Sequence, residues 1–208
     1  MVDWKCILLG WDKCLGDQVY LNRESMLREH KLRIIFLGPS KTGKSKLLNN
    51  FDIQDQVRKF PSDDNELEQG VCRFERLGYN ADVDVFATPD STLDTLITSY
   101  INTCSIILLT YDVANIGHLR YIEKKYIPIL KSHRDCQKLT VFLVGSRMTT
   151  TPAPSMLEEV SKTITLMLVV HAIRNQVGAR VGTLDVTVDE FSSVEQFKER
   201  VLSFVILE

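Results

Sequence analysis

From residue 32 onward, short hydrophobic runs alternate with longer stretches in which hydrophobic residues recur at helical spacing. The runs at residues 31–37, 105–111 and 139–145 are rich in β-branched and aromatic residues, as buried strands are. Residues 82–86 alternate acidic and apolar side chains, which is typical of a strand with one exposed face. With further strands at 71–79 and 181–188, the pattern predicts an α/β fold, a mainly parallel six-stranded sheet with helices on both faces.

Helices are expected between these strands, at residues 46–51, 93–101, 118–130, from 155 onward and from 192 to about 206. Ser155 and Glu158 form a capping-box pattern at the start of the fourth helix, and Ser192 with Glu195 repeats it before the last. Four apolar residues fall on one face of the fourth helix: Leu157, Val160, Ile164 and Met167.

Residues 1–30 precede this alternating pattern and are interpreted as an N-terminal arm, with residues 31–208 as the main domain. Residues 5–9 are apolar enough to form an extra strand at a sheet edge. An apolar arm that packs on the domain surface explains the same pattern equally well, with Trp4 and Trp11 as anchors.

Composition narrows the class of protein. A net charge of -2 argues against broad electrostatic binding to nucleic acid or to an anionic membrane. The five cysteines are scattered without metal-ligand spacing, which indicates reduced thiols in the cytoplasm. The apolar runs are too short to span a bilayer, and the last residues contain no cysteine for prenylation, so no direct membrane anchor is expected.

The strongest chemical signal is the octapeptide GPSKTGKS at residues 38–45, between the first strand and the first helix. It matches the phosphate-binding pattern G-x-x-x-x-G-K-S, the P-loop, in which glycines let successive N–H groups point at phosphate oxygens. The lysine contacts the β- and γ-phosphates, and the serine hydroxyl ligates Mg²⁺. The predicted phosphate-binding residues are Gly38, Ser40, Lys41, Thr42, Gly43, Lys44, Ser45 and Lys46, with Ser45 as the metal ligand.

This P-loop, followed by a strand pair and alternating strands and helices, resembles the Ras/Rab small GTPases over residues 31–206. The strings TYDV at 110–113 and FLVG at 142–145 are similar to strands that lead into the nucleotide-binding loops of that family. The strings LGP at 37–39 and QGV at 69–71 are similar to the atypical Rab-like subunit of the intraflagellar transport particle. The resemblance implies Mg²⁺ with GTP or GDP as cofactors.

The chain departs from the family where the family hydrolyses its nucleotide. The second switch should carry Asp-x-x-Gly and then glutamine, but residues 87–91 read ATPDS. Ala87 cannot hold a Mg²⁺-bound water, Pro89 has no N–H, and Ser91 is too short to orient an attacking water. We therefore expect no catalytic residue and very low or no hydrolysis.

The guanine-reading motif Asn-Lys-x-Asp is also replaced, by SRMT at residues 146–149. Ser146, Arg147 and Thr149 are the candidate base-binding residues by position in the resemblance. Thr149 offers one hydroxyl and no charge, so we expect poor base selectivity. The third base-contacting motif is unrecognisable near residues 187–189.

Three functions remain. The first is an atypical small GTPase that binds GTP or GDP and serves as an adaptor for coiled-coil or other helical protein partners, in intraflagellar transport at a cilium or flagellum. The second is a pseudo-GTPase scaffold that needs no nucleotide. The third is a small P-loop kinase, which is disfavoured because Ala87 stands at the strand end and the sequence has no Arg-rich lid. Asp112 is the only comparable carboxylate, and its Rab-like context explains it better.

Overall fold

The computed structural model describes residues 32–50, 58–60, 67–76, 79–89, 92–133, 139–150 and 155–206. The expected arm of residues 1–30 lies outside the described residues. The strands are β1 (Leu32–Leu37), β2 (Arg58–Phe60), β3 (Leu67–Arg76), β4 (Tyr79–Ala87), β5 (Ile106–Asp112), β6 (Thr140–Arg147) and β7 (Arg180–Thr187). The helices are α1 (Lys44–Asn49), α2 (Asp94–Ile101), α3 (Ile116–Lys131), α4 (Met156–Ala172) with a π-helical extension (Ile173–Val177), and α5 (Phe191–Ile206).

In the described part of the chain, one sheet contains seven strands in the order β2-β3-β4-β1-β5-β6-β7. Strands β4, β1, β5, β6 and β7 are parallel to one another, whereas β2 pairs antiparallel with β3 and β3 pairs antiparallel with β4 at one edge. The predicted α/β class and mainly parallel sheet are confirmed. The strand count of six is wrong by one, because the three-residue β2 is too short to show in the hydrophobic pattern.

The central parallel strands β1, β5 and β6 are buried on both faces, which is why they read as continuous apolar runs. Along β1, Ile35 and Leu37 belong to a core covered by α2, α3 and α4. Ile34 and Phe36 point to the opposite core, which is covered by α1 and α5. Two hydrophobic cores therefore hold the sheet from both sides and fix the strand ends at which the loops meet.

Helix α4 begins with the predicted capping box, in which Ser155 and Glu158 bond each other's backbone N–H groups. Its buried side chains are Val169 and Ala172. The apolar face that the sequence pattern predicted points away from the core. We call it the outer stripe, and its six residues are between 48% and 86% exposed: Met156, Leu157, Val160, Ile164, Met167 and Leu168.

Candidate functional site

All the residues predicted to bind nucleotide lie at one edge of the sheet, where the parallel strands end. Strand β1 ends at Leu37 and leads into the P-loop, while β6 ends at Arg147 and is paired with the end of β7 at Thr187. Ligands of open parallel sheets bind at this carboxyl edge, where loops from neighbouring strands converge. The fold thus brings the phosphate-binding and base-binding candidates to the same side of the molecule.

Gly38 fixes the start of the P-loop against the neighbouring strand. Its φ is 147°, a conformation that residues with a side chain rarely adopt. A Cβ atom at this position would lie 2.2 Å from the backbone oxygen of Thr110 on β5. Its N–H donates to the hydroxyl of buried Tyr126 on α3 at 3.2 Å. Only glycine fits this close approach.

The side chain of Thr42 holds the middle of the loop down onto the sheet. Its hydroxyl donates to the backbone oxygen of Pro39 at 3.0 Å. It also lies 2.8 Å from the hydroxyl of Thr110, which in turn donates to the backbone oxygen of Leu37 at 3.1 Å. Because the Thr42 side chain is buried in this network, its contribution to phosphate binding would come from its backbone N–H.

The backbone between these anchors curls into a concave turn. Lys41 has a φ of 62° and Gly43 a φ of 78°, and Thr42 between them does not share this left-handed conformation. Alternation of this kind turns successive N–H groups toward one point and makes an anion-binding concavity. Left-handed backbone is costly for a lysine, so the loop holds Lys41 in a strained conformation at the centre of the candidate site.

Lys44 is the buried cation of the site. Its ammonium donates to the backbone oxygens of Gly38 at 2.8 Å and Pro39 at 2.6 Å. These bonds hold the charge across the opening of the loop. Ser40, Lys41, Ser45 and Lys46 are exposed around it. The arrangement concentrates positive charge where a phosphate chain would lie.

The end of β4, beside the P-loop, is built differently. Ala87 is buried and pairs with Phe36 of β1. Thr88 follows, with its N–H donating to the backbone oxygen of Phe36 at 3.2 Å, so it continues the pairing rather than facing a ligand. Asp90 and Ser91 lie outside the described residues. The described end of this strand supplies neither a carboxylate nor, at Pro89, a backbone N–H.

The base-binding candidates divide into one buried and two exposed residues. Ser146 is buried, and its hydroxyl donates to the backbone oxygen of Tyr111 at 3.0 Å, so its side chain braces the strand end. The Arg147 guanidinium is exposed and donates to the hydroxyl of Thr187 at 3.3 Å. Thr149 is exposed and turned toward the loop that follows β7.

Asp189 contacts the base-binding candidate Thr149, a contact that the sequence did not reveal. Its two carboxylate oxygens accept from the Thr149 backbone N–H at 2.9 and 3.1 Å, and one accepts from the Thr149 hydroxyl at 2.6 Å. The bonds from the Thr149 hydroxyl and N–H lower the pKa of the Asp189 carboxyl, and the Lys46 charge adds to the effect. The only signal in the sequence was its position within residues 187–189, where the third base-contacting motif is unrecognisable.

A family model described as the Ras family matches residues 33–176 of this chain. The chain belongs to the Ras family. A search of curated protein sequences finds no match. The predicted resemblance to Ras-like small GTPases is thereby confirmed at the level of the family. The matched segment of this Ras-family protein includes the P-loop and residues 146–149, whereas Asp189 lies beyond it.

Family membership indicates a small GTPase-like nucleotide-binding protein, for which GTP or GDP with Mg²⁺ is the general ligand. Among the described residues, no three His, Cys, Asp or Glu side chains group as a metal site of their own. Across the same residues, no helix has the length and apolar character needed to cross a bilayer.

Proposed function

We propose that this Ras-family protein binds GTP or GDP through residues 38–46, hydrolyses GTP very slowly or not at all, and acts as an adaptor for protein partners. The observation that carries the nucleotide-binding part is the P-loop geometry. Three features occur together at the carboxyl edge of the sheet: a position that only glycine fits, a concave backbone turn and a buried lysine ammonium. A decayed site would have no need to keep all three.

Mg²⁺ fits this site as a companion of the nucleotide. Ser45 is exposed in the first turn of α1, directly after the buried Lys44, and its hydroxyl is an oxygen ligand of the kind that Mg²⁺ takes. When bound, the cation would neutralise charge on the β- and γ-phosphates. Ser45 would hold it together with the phosphate oxygens, since the described residues at the end of β4, 87–89, include no carboxylate.

The residues at the end of β4 are the reason that we propose weak hydrolysis. GTP hydrolysis needs a group that orients the attacking water and donors that stabilise charge on the γ-phosphate. Ala87 and Thr88 are committed to the packing and pairing of β4 with β1. Lys44 alone can stabilise phosphate charge but cannot position a water on the far side of the γ-phosphate.

The outer stripe of α4 supports the adaptor role. Exposed apolar patches of this kind mark protein-binding surfaces. Its six residues, at positions 156, 157, 160, 164, 167 and 168, lie on one face of the helix and extend over about 18 Å. It contains no charged side chain, so the matching partner is another helix with an uncharged apolar seam, such as a coiled-coil subunit. We place this assembly in intraflagellar transport, on the basis of the strings at 37–39 and 69–71.

A titration of the full chain with fluorescent GTP, GDP and ATP analogues, with and without Mg²⁺, tests the nucleotide proposal. Saturable binding that Mg²⁺ strengthens supports it, because Ser45 and the phosphates then share the cation. Absence of binding, together with a melting temperature unchanged by nucleotide, favours the nucleotide-free scaffold instead. Phosphoryl transfer to a small acceptor would identify a kinase.

The Ile164→Glu variant tests the outer stripe, because it places a charge at the stripe's centre without touching the buried face of α4. We expect coiled-coil subunits recovered from a ciliated cell extract to fall at least tenfold in abundance relative to wild type, measured by quantitative mass spectrometry. Leu96→Glu is the matched control, since Leu96 is an exposed leucine on a different helix, α2. Equal recovery with Ile164→Glu would exclude the stripe as the docking surface, and recovery of vesicle-trafficking proteins alone would count against the ciliary role.

A further inference from the structure

The carboxylate of Asp189 is held in a fixed position by a residue forty positions away in the sequence. Both of its oxygens are engaged by Thr149, one through the hydroxyl at 2.6 Å and both through the backbone N–H. An exposed carboxylate normally samples several rotamers. Here three contacts from a neighbouring loop orient the carboxylate, although it is exposed to solvent.

This carboxylate lies beside the P-loop. The preceding residue, Val188, is buried, and its N–H donates to the backbone oxygen of Arg147 at 2.9 Å. The Val188 side chain lies against Gly43 so closely that a Cβ atom on the glycine would be 3.2 Å from it. Asp189 is therefore one residue removed from a direct contact with the phosphate-binding loop, and the Lys46 charge acts on it.

The chemistry of an oriented carboxylate distinguishes the two purines. An ionised carboxylate only accepts hydrogen bonds, and its two oxygens together offer about four acceptor positions. Thr149 supplies two donors, so acceptor capacity remains toward solvent. The pairing edge of guanine carries adjacent donors at N1 and N2, whereas the pairing edge of adenine has an acceptor at N1. Guanine thus complements the carboxylate, and adenine places a lone pair against it.

We propose that Asp189 is the specificity-determining residue that selects guanine over adenine in this site, with Thr149 as the residue that positions it. The inference rests on the proposed nucleotide binding by the P-loop. It replaces the expectation of poor base selectivity, which considered Thr149 by itself. The motif that residues 146–149 replace ends in an aspartate. Asp189, in the loop after β7, supplies a carboxylate instead, and Thr149 orients it.

Competition binding on the full chain tests the inference with GDP, ADP and xanthosine diphosphate. We expect wild type to prefer GDP over ADP at least tenfold, since a hydrogen bond to a charged group contributes about 1.5–3 kcal/mol. Asp189→Asn should reduce that preference to less than about threefold, because GDP loses a charged acceptor and the amide no longer opposes the adenine N1 lone pair. It should also improve binding of xanthosine diphosphate, whose carbonyl at C2 accepts from the new amide.

Two further variants separate recognition from structure. Thr149→Val removes the hydroxyl but keeps the backbone N–H, and should cause a smaller loss of GDP preference. Glu190→Gln neutralises the adjacent exposed carboxylate and should leave the preference as in wild type. Equal affinity of wild type for GDP and ADP, or an unchanged preference in Asp189→Asn, overturns the inference but leaves nucleotide binding standing. Failure of wild type to bind any of the three overturns both.

Discussion

The ends of β1 and β4 are neighbours in the sheet, yet the residues that follow them differ in structure in this Ras-family protein. After β1, the chain keeps Gly38, Gly43 and Lys44 with the backbone geometry of a phosphate site. After β4, it has Ala87 and Thr88, which only continue the packing and pairing of the sheet. We therefore propose that phosphate binding and hydrolysis are separable properties of this fold, because each depends on the loop that follows a different strand.

The largest expected effect comes from Gly38→Ala, which tests whether the β1 end is as constrained as the geometry indicates. The new Cβ would collide with the Thr110 backbone and strain φ, so we expect a loss of about 3 kcal/mol in the free energy of unfolding, measured in urea. Gly178→Ala is the matched control. Gly178 has a φ of 78° but nothing within 4 Å of an added Cβ, so only strain of about 1 kcal/mol applies. Equal losses would contradict the close approach at Gly38.

Lys44→Met should have the next largest effect and acts on binding. The variant keeps the length of the side chain but removes the ammonium, and we expect affinity for GDP to fall about 100-fold in a fluorescence titration. Lys124→Met, on the exposed surface of α3, should bind as wild type does. If Lys44→Met retains wild-type affinity while its melting temperature shows that it is folded, the P-loop is not the phosphate site.

The fold was largely predictable because its central strands, β1, β5 and β6, are buried on both faces. Ile34, Phe36 and their neighbours leave a continuous apolar signal that a strand exposed on one side would not. The P-loop was equally visible, since its requirements for glycine, lysine and serine are local in sequence. The three residues of β2 carried no such signal, because their pairing with β3 depends on tertiary contact.

The missed features of the site are those that depend on contacts between distant segments. Thr149 and Asp189 are each ordinary polar residues until the ends of β6 and β7 bring them together. The packing role of the Thr42 side chain likewise depends on Thr110. On α4, periodicity identified an apolar face but could not tell which side of the helix meets the core, because that depends on how the helix docks.

Ser91→Gln is expected to have the smallest effect. It restores the side-chain type that orients water in the family, but Ala87 and Pro89 still supply neither a metal-water partner nor a backbone donor. We expect the rate of GTP hydrolysis to change by less than about twofold in a single-turnover assay. A large gain would show that the β4 end is closer to a working switch than its described residues indicate.

The contrast between the two strand ends is tested most directly by following GTP bound to the wild-type protein. Purified protein is loaded with GTP and Mg²⁺, freed of excess nucleotide, and the bound nucleotide is separated and quantified over several hours. We predict retained GTP that converts to GDP more slowly than about 10⁻⁴ s⁻¹, below the unassisted rate typical of Ras. Rapid conversion would contradict the loss of hydrolysis, and failure to retain any nucleotide would contradict the phosphate site itself.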